Sequence, residues 1–386
     1  MNSYIRHLYC TKCQTIYAAD RLQNLCACGG PLFADYDLKE VSKVLSREDL
    51  AFRVHSLWRY RELLPVIKSE HVVSLAEGFT PLIPSCRLGK NIGLHNLFFK
   101  DESFNPTGSF KSRGLSVAVS KAKELGAQAI ALPTAGNAGG AASAYAARAG
   151  MGCHVFMPSD TPAAFMAECE SYGATVYKVD GVITDAAREM QPRLQSEGWF
   201  DVSTLKEPYR VEGKKTILYE LAQQMGWNLP DVILFPTGGG TGIVGALKAC
   251  RELQQLGWVS SFKMPKFIAV QSAGCAPIVR AWQNGWEHAV AWEQPETLAL
   301  GLRVPKAIGD FLILRAIRES NGVAVAVEEE NIAAAWRELG GSEGMFVAPE
   351  AAACWAALQK LVQQDFIGKN ETVVILVTGS GLKYVI

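Results

Sequence analysis

From Ala127 onward, short apolar runs alternate with segments of helical periodicity, and few folds accommodate that pattern. The runs at 129–133, 153–157 and 175–179 read as buried strands, with 138–149 and 161–172 as the helices between them. A second series has strands at 231–236, 266–270, 322–327 and 372–378 and helices at 216–225, 243–256, 331–339 and 349–365. Strands joined through helices build parallel sheets with right-handed crossovers. The expectation is therefore an α/β chain of two lobes, with no internal repeat or low-complexity segment.

The chain has 386 residues, 49% of them hydrophobic, enough for a large buried core. Lys+Arg and Asp+Glu each number 38, and there is no long basic run, so a nucleic-acid partner is not expected. The start, MNSYIRHLYC, lacks the apolar core of an export signal. The longest uncharged run, between Asp231 and Lys248, carries Pro236 and five glycines and reads as strand plus turn, not as a membrane span. Ten cysteines without an export signal point to reduced thiols and a cytoplasmic protein.

Residues 1–37 stand apart. Cys10 and Cys13 form a CxxC pair; Cys26 and Cys28 form a CxC pair followed by Gly29-Gly30-Pro31. Four thiolates on two short loops suit a tetrahedral zinc, which would staple a ribbon this small. The second pair is one residue short of the usual spacing, so a vestigial ribbon with free thiols is the other reading. Residues 38–74 mix charged and apolar positions and are expected to wrap a catalytic body spanning 38–386.

The stretch most suggestive of chemistry is Leu97 to Gly114, LFFKDESFNPTGSFKSRG. Asn105-Pro106-Thr107-Gly108 is turn chemistry, followed by Ser109 and Lys111. Leu115 to Leu125 keeps helical spacing, with Gly126 where a C-terminal cap belongs. A lysine on a tight turn ahead of a helix is held and partly desolvated, which favours the neutral amine that Schiff-base chemistry needs. By itself the same string also fits a solvated loop lysine.

NPTGSFKSRG resembles the lysine-bearing motif of pyridoxal-phosphate enzymes of fold type II, in the threonine synthase branch. EGFTPL at Glu77, TAGNAGGAASAYAARAGM, EPYRVEGKKT, PTGGGTGIVG, EGMFVAPEAAA and TGSGLK complete the set, the last five following it in that family's order. The resemblance covers about residues 75 to 386, and some threonine synthases also begin with a Cys-rich head. It implies a tryptophan-synthase-β-like fold, a smaller lobe of about 127–205 inserted in a larger one, and pyridoxal 5'-phosphate held between the lobes by Lys111. It also implies a homodimer with a small amino-acid substrate.

Asn137 matches the family asparagine that donates to the cofactor's phenolic oxygen, although as a bare residue it also reads as a helix N-cap. Gly238, Gly239, Gly240, Thr241 and Gly242 lie between a strand and a helix, where amides and the helix dipole favour the cofactor phosphate. The spacing is not that of a dinucleotide loop. Thr378 matches the threonine that meets the pyridine nitrogen, with Ser380 a second candidate. A hydroxyl there moderates the electron sink and favours elimination and replacement. Arg210 matches the arginine that grips the substrate phosphate, and a helix start beside it would add to the attraction. Ser109, Ser203 and Thr204 join it as substrate-side positions.

Two positions depart from the family. Ala138 stands where many threonine synthases have a threonine against substrate, and Ser112 stands where an aspartate commonly follows the lysine. The implied reaction is conversion of O-phospho-L-homoserine and water to L-threonine and phosphate. The alternatives are a threonine or serine ammonia-lyase, a replacement enzyme such as a cysteate synthase-like enzyme, and an idle binding protein that keeps the fold.

Overall fold

The computed structural model of the chain describes residues 3–384. Strands β1 (Ile5–Cys10), β2 (Ile16–Tyr17) and β3 (Leu32–Tyr36) form an antiparallel sheet in the order β2-β1-β3. Helix α1 (Leu38–Val44) leaves it, capped by Asp37, which accepts the amide of Glu40 at 3.1 Å. Short 3₁₀ turns follow, then β4 (Leu82–Pro84), α2 (Leu88–Asn91) and β5 (Asn96–Asp101). An unbroken alternation comes next: α3 (Lys111–Glu124), β6 (Ala129–Pro133), α4 (Asn137–Ala149), β7 (Gly152–Pro158), α5 (Ala163–Ser171), β8 (Thr175–Val179), α6 (Ile183–Ser196) and β9 (Phe200–Asp201). The chain continues through α7 (Arg210–Gln224), β10 (Val232–Pro236), α8 (Thr241–Leu256), β11 (Lys266–Ser272), α9 (Pro277–Gln283) and α10 (Asp310–Glu319). It ends with β12 (Val323–Val327), α11 (Glu329–Glu343), α12 (Pro349–Gln363) and β13 (Thr372–Val377).

The chain forms two compact units. One comprises Met1–Phe79, Asn105–Ile217 and Arg251–Trp258; the other comprises Thr80–Phe104, Leu218–Cys250 and Val259–Ile386. The first holds an all-parallel sheet in the order β8-β7-β6-β9, and the segment 127–205 lies within it. Its core packs Phe156, Val179, Ala186 and Met190 between strands and α6. The second holds a six-stranded sheet in the order β12-β11-β10-β13-β5-β4, parallel except for the β4–β5 pair at one edge. There Leu97, Phe99, Leu234, Ile268 and Ile375 pack with Trp355 and Leu358 of α12 and Leu339 of α11. Strands covered on both faces explain why the sequence shows continuous apolar runs rather than alternation.

The α/β architecture matches the sequence expectation, and most strand limits fall within a residue or two. Besides the short α1 and α2, three helices were not expected. The segment Ile183–Ser196 carries Pro192 inside it, a residue that reads as a breaker yet is tolerated here on a half-exposed helix. Helices α9 and α10 lie in a stretch where Gly, Pro and Trp mask the helical period. Helices α3 and α7 both start earlier than their apolar periodicity does, at Lys111 and Arg210. Among the described residues, no helix is long and apolar enough to cross a membrane.

Trp355 is fully buried and its Nε1 donates to Glu338 Oε2 at 2.6 Å. Trp355→Ala leaves a large cavity and a carboxylate without its donor. It should lower the unfolding free energy by about 3–5 kcal/mol, read as a shift of the urea midpoint.

Candidate active site

In the second unit β10 is flanked by β11 on one side and β13 on the other, so the strand order reverses there. Open α/β sheets bind ligands at the carboxyl ends of strands beside such a reversal. Gly238–Gly242 follows β10, and Thr378 follows β13, its parallel neighbour, with Leu234 paired to Ile375. Gly240 has φ +81, and a Cβ on it would lie 2.2 Å from Ile313 Cδ1, so no larger residue fits this turn. Among the described residues, the amides of Gly238, Gly239 and Gly240 donate to no backbone acceptor. They open directly into α8, a 16-residue helix, which makes the loop fit for a phosphate. The Thr378 hydroxyl makes no hydrogen bond among the described residues, whereas Ser380 Oγ accepts the amide of Leu382 at 3.2 Å. Thr378 is thus the better placed of the two to meet a ligand.

The first unit has the same feature. Strand β6 lies between β7 and β9, and the loops that follow β6 and β9 carry the predicted residues. After β6 the chain turns through Thr134-Ala135-Gly136 into α4, and Thr134 Oγ1 accepts the amide of Gly136 at 3.1 Å. Gly136, not Asn137, occupies the N-cap, and Asn137 is the first helical residue. The N-cap alternative for Asn137 is therefore wrong. Ala138 beside it is 8% exposed. After β9, Val202 donates its amide to Ala131 at 2.9 Å, which sets the loop bearing Ser203 and Thr204 beside the end of β6. Asp201 Oδ1 takes both the amide and the hydroxyl of Ser203, the amide at 2.8 Å. The Thr204 hydroxyl makes no hydrogen bond among the described residues.

Lys111 is half-buried and stands in the first turn of α3, not ahead of it. Its amide donates to Ser109 Oγ at 3.4 Å, and Ser109 is fully buried. The preceding turn is tight, with Thr107 at φ 60 and Gly108 at φ 61. Ser112, the residue in place of an aspartate, holds this turn: its Oγ donates to the carbonyl of Pro106 and lies 3.0 Å from Thr107 Oγ1. Lys111 Nζ sits 4.3 Å from the centroid of the Phe110 ring, and Lys214 Nζ sits 3.1 Å from it.

Helices α3 and α7 touch backbone to backbone. A Cβ on Gly213 would lie 2.0 Å from the carbonyl oxygen of Arg113, and one on Gly114 would lie 2.8 Å from that of Arg210. Arg113 Nη1 adds a bond to Thr216 Oγ1 at 3.1 Å. The helix that starts with Lys111 is thereby locked to the helix that starts with Arg210. Arg210 is 2% exposed; its Nη1 donates to the carbonyl of Val202 at 2.8 Å, and its Nε has no partner among the described residues. The sequence places Arg210 beside a helix start whose dipole would add to anion attraction, and two amides at that start are already taken. Glu207 takes them, accepting from Tyr209 at 2.7 Å and from Arg210 at 3.0 Å. Burial pushes the Glu207 carboxyl up to about 7 and the Arg210 guanidinium down from its ordinary value.

Glu77, placed by the sequence in an ordinary turn, is a hub. It is fully buried, and its Oε1 accepts from Trp58 Nε1 at 2.8 Å and Ser116 Oγ at 2.6 Å. Its Oε2 accepts from Leu75 N at 2.8 Å and from the Tyr145 hydroxyl at 2.6 Å. Burial and the Glu77 charge raise the Tyr145 phenol above its ordinary value, so it stays protonated and donates. Ser116 lies on α3 and Tyr145 on α4, so one carboxylate spaces the helices that begin with Lys111 and Asn137. Nothing in a single sequence marks this glutamate beyond its place in EGFTPL.

In the head, the Sγ atoms of Cys10, Cys13, Cys26 and Cys28 all lie within 4.8 Å of one another. Cys10 meets Cys28 at 3.5 Å, and Cys13 meets Cys26 at 3.5 Å. A tetrahedral zinc with bonds of about 2.3 Å needs sulfurs about 3.8 Å apart, so the set fits such an ion. The short CxC spacing does not keep the four sulfurs apart, and Gly29, at φ 76, donates its amide back to the carbonyl of Cys26 at 2.8 Å. Hydrogen bonding to Thr15 holds Cys13 down at about 6. Cys28 is drawn down by the Gly30 amide, but its cysteine neighbours outweigh that and push it up to about 12.

Glu77→Ala strands several buried donors, each costing about 1–3 kcal/mol. It should lose at least about 3 kcal/mol of stability in urea unfolding, whereas Tyr145→Phe, which removes one bond, should lose about 1 kcal/mol.

A family model described as pyridoxal-phosphate dependent enzyme matches residues 73–379. A threonine synthase of Methanocaldococcus jannaschii is 36% identical over 375 residues, covering 97% of this chain and 92% of that protein. A threonine synthase of Methanosarcina acetivorans is 38% identical over 379 residues, covering 98% and 92%. Among solved structures, maize serine racemase aligns with a TM-score of 0.68 at 22% identity, over 78% of this chain and 88% of that one. A fungal L-serine ammonia-lyase from Rhizomucor miehei aligns with a TM-score of 0.66 at 24% identity, over 78% and 93%. These two structural likenesses speak to the fold, and the full-length relatives to the branch. With a lysine turn, an asparagine loop and a glycine loop each set at a strand-order reversal or helix start, the chain belongs to the threonine synthase family of fold-type-II pyridoxal-phosphate-dependent enzymes.

Proposed function

We propose that the protein is a threonine synthase, a pyridoxal-phosphate-dependent lyase acting on O-phospho-L-homoserine and water to give L-threonine and phosphate. The observation that carries this reading is the near end-to-end likeness to two threonine synthases, at 97% and 98% coverage of this chain. Lys111 would hold the cofactor, the amides of Gly238, Gly239, Gly240, Thr241 and Gly242 would take its phosphate, and Asn137 and Thr378 would hold its ring. When bound, pyridoxal phosphate supplies the electron sink that makes protons on the substrate's Cα and Cβ removable.

The Lys111 amine would take a proton from the substrate's Cα and Cβ and return one to Cα. Phosphate leaves from Cγ, Cγ gains a proton, and water adds at Cβ. A neutral hydroxyl at Thr378, in place of a carboxylate, would moderate the electron sink and so favour elimination over transamination. Arg210 and Thr204 grip the substrate phosphate, Ser203 shapes their loop through Asp201, and Ser109 and Ala138 line the substrate side. The direct α3–α7 contact supports pairing Lys111 with Arg210, because it fixes the backbones of the two helix starts against each other.

Purified protein should release phosphate and threonine from O-phospho-L-homoserine; steady 2-oxobutyrate release from threonine with no phosphohomoserine turnover would make it an ammonia-lyase instead. Lys111→Ala should abolish the visible absorbance of the bound cofactor. Arg210→Ala should keep that absorbance and lower kcat/KM roughly a hundredfold, the loss of about 2–3 kcal/mol expected for a charge-assisted contact.

The four head cysteines are proposed to bind zinc, a reading supported by their four sulfurs lying within 4.8 Å of one another. Metal analysis of protein purified without chelator should give about one zinc per chain; none would leave a metal-free ribbon. We further propose a head of 1–37 on a catalytic body of 38–386, with a smaller lobe of about 127–205. Ten free cysteines suit a reducing cytoplasm, and a homodimer is the family expectation.

A further inference from the structure

We propose that Asn24, in the cysteine-rich head, is a positioning residue for the substrate-phosphate loop 201–206; this rests on the phosphate role given above to that loop and Arg210. The Nδ2 of Asn24 donates to the carbonyl of Asp201 at 2.8 Å and to that of Lys206 at 3.2 Å. One amide group thus joins the two ends of the loop that carries Ser203 and Thr204. Two carbonyls can face only a donor, so the amino end of Asn24 is the end turned to the loop.

The loop needs holding. Leu205 has φ 58, a left-handed conformation costly for a branched residue and kept only where the surroundings impose it. Lys206 closes the loop from within, its amide donating to the carbonyl of Ser203 at 3.1 Å and its Nζ lying 3.5 Å from Asp201 Oδ2. The loop is also the rest on which Arg210 sits, through the carbonyl of Val202 at 2.8 Å. A shift of the loop therefore moves both the Thr204 hydroxyl and the guanidinium.

Asn24 is itself anchored. It lies two residues before Cys26, in the segment between Cys13 and Cys26, whose sulfurs meet at 3.5 Å. A second tie joins the head to α7: Lys215 Nζ lies 4.1 Å from the centroid of the Tyr36 ring at the end of β3. The head lies outside the cofactor motifs, yet it reaches the segment that selects the substrate's leaving group. Its role is to set substrate affinity while leaving cofactor binding alone.

The test compares the wild type with Asn24→Ala and Asn24→Asp, the second keeping the shape and removing both N–H donors. Hydrogen exchange without substrate reads the clamp: a peptide covering 200–206 should exchange faster in both variants, and one covering 129–133 should not change. Kinetics read its purpose: KM for O-phospho-L-homoserine should rise roughly tenfold, equivalent to about 1.4 kcal/mol, with kcat within about twofold and the cofactor absorbance unchanged. Unchanged exchange at 200–206 overturns the clamp, and faster exchange with an unchanged KM overturns its role in substrate binding. A wild type that releases no phosphate from O-phospho-L-homoserine overturns the functional reading and the substrate half of this proposal, while the exchange result still upholds or overturns the clamp.

Discussion

The catalytic unit hangs on a buried carboxylate. Glu77 is shut off from water and stays satisfied only because four donors from four parts of the chain converge on it. A buried carboxylate without partners would be costly, so the donors cannot drift without a large penalty. Ser116 and Tyr145 tie α3 and α4 to it, and these helices start with Lys111 and Asn137. The same turn continues into Gly78, whose amide donates to Asn105 Oδ1 at 2.9 Å, at the entrance of the NPTG turn. A residue that never meets the substrate thus spaces the groups assigned to chemistry.

Around that hub the chain uses one device twice. Each parallel sheet has a strand whose neighbours run off in opposite directions in the chain order, and the loops at its carboxyl end carry the candidate residues. In one unit these are the glycine loop and Thr378; in the other, the Asn137 loop and the 201–206 loop. Helix starts at α4 and α8 present amides there, while the start of α7 is filled by Glu207. Two amides at that helix start are thereby satisfied within the protein.

Much of the fold was legible in the residue order. The strand Ala129–Pro133 stands out as an apolar run, whereas Thr175–Val179, read as buried, is an edge strand in which only Val179 is buried, because β8 has a neighbour on one side only. Helix starts were less legible, because Lys111 and Arg210 are polar residues at positions where periodicity is silent. Helix α6 was hidden by Pro192. The candidate site was readable as motifs, since close backbone approach demands glycine and tight turns demand Asn, Pro and Gly. Its supports were not: Glu77, Glu207 and Asn24 act through partners that no local pattern reveals, and Gly213 looks like any other glycine until α3 lies against it.

The sequence by itself determined the alternation that makes a parallel α/β chain, the membership of the lysine, asparagine and glycine motifs in one enzyme family, and the four-cysteine head. Each of these is a local property: period, turn chemistry or ligand spacing. Only the tertiary structure decided that Asn137 is the first helical residue and not a cap, that Glu207 closes the start of α7, and that the head reaches the 201–206 loop. Those outcomes depend on which buried donors find which acceptors once the chain has closed on itself, and a hydrogen bond between residues 177 positions apart leaves no period in the sequence.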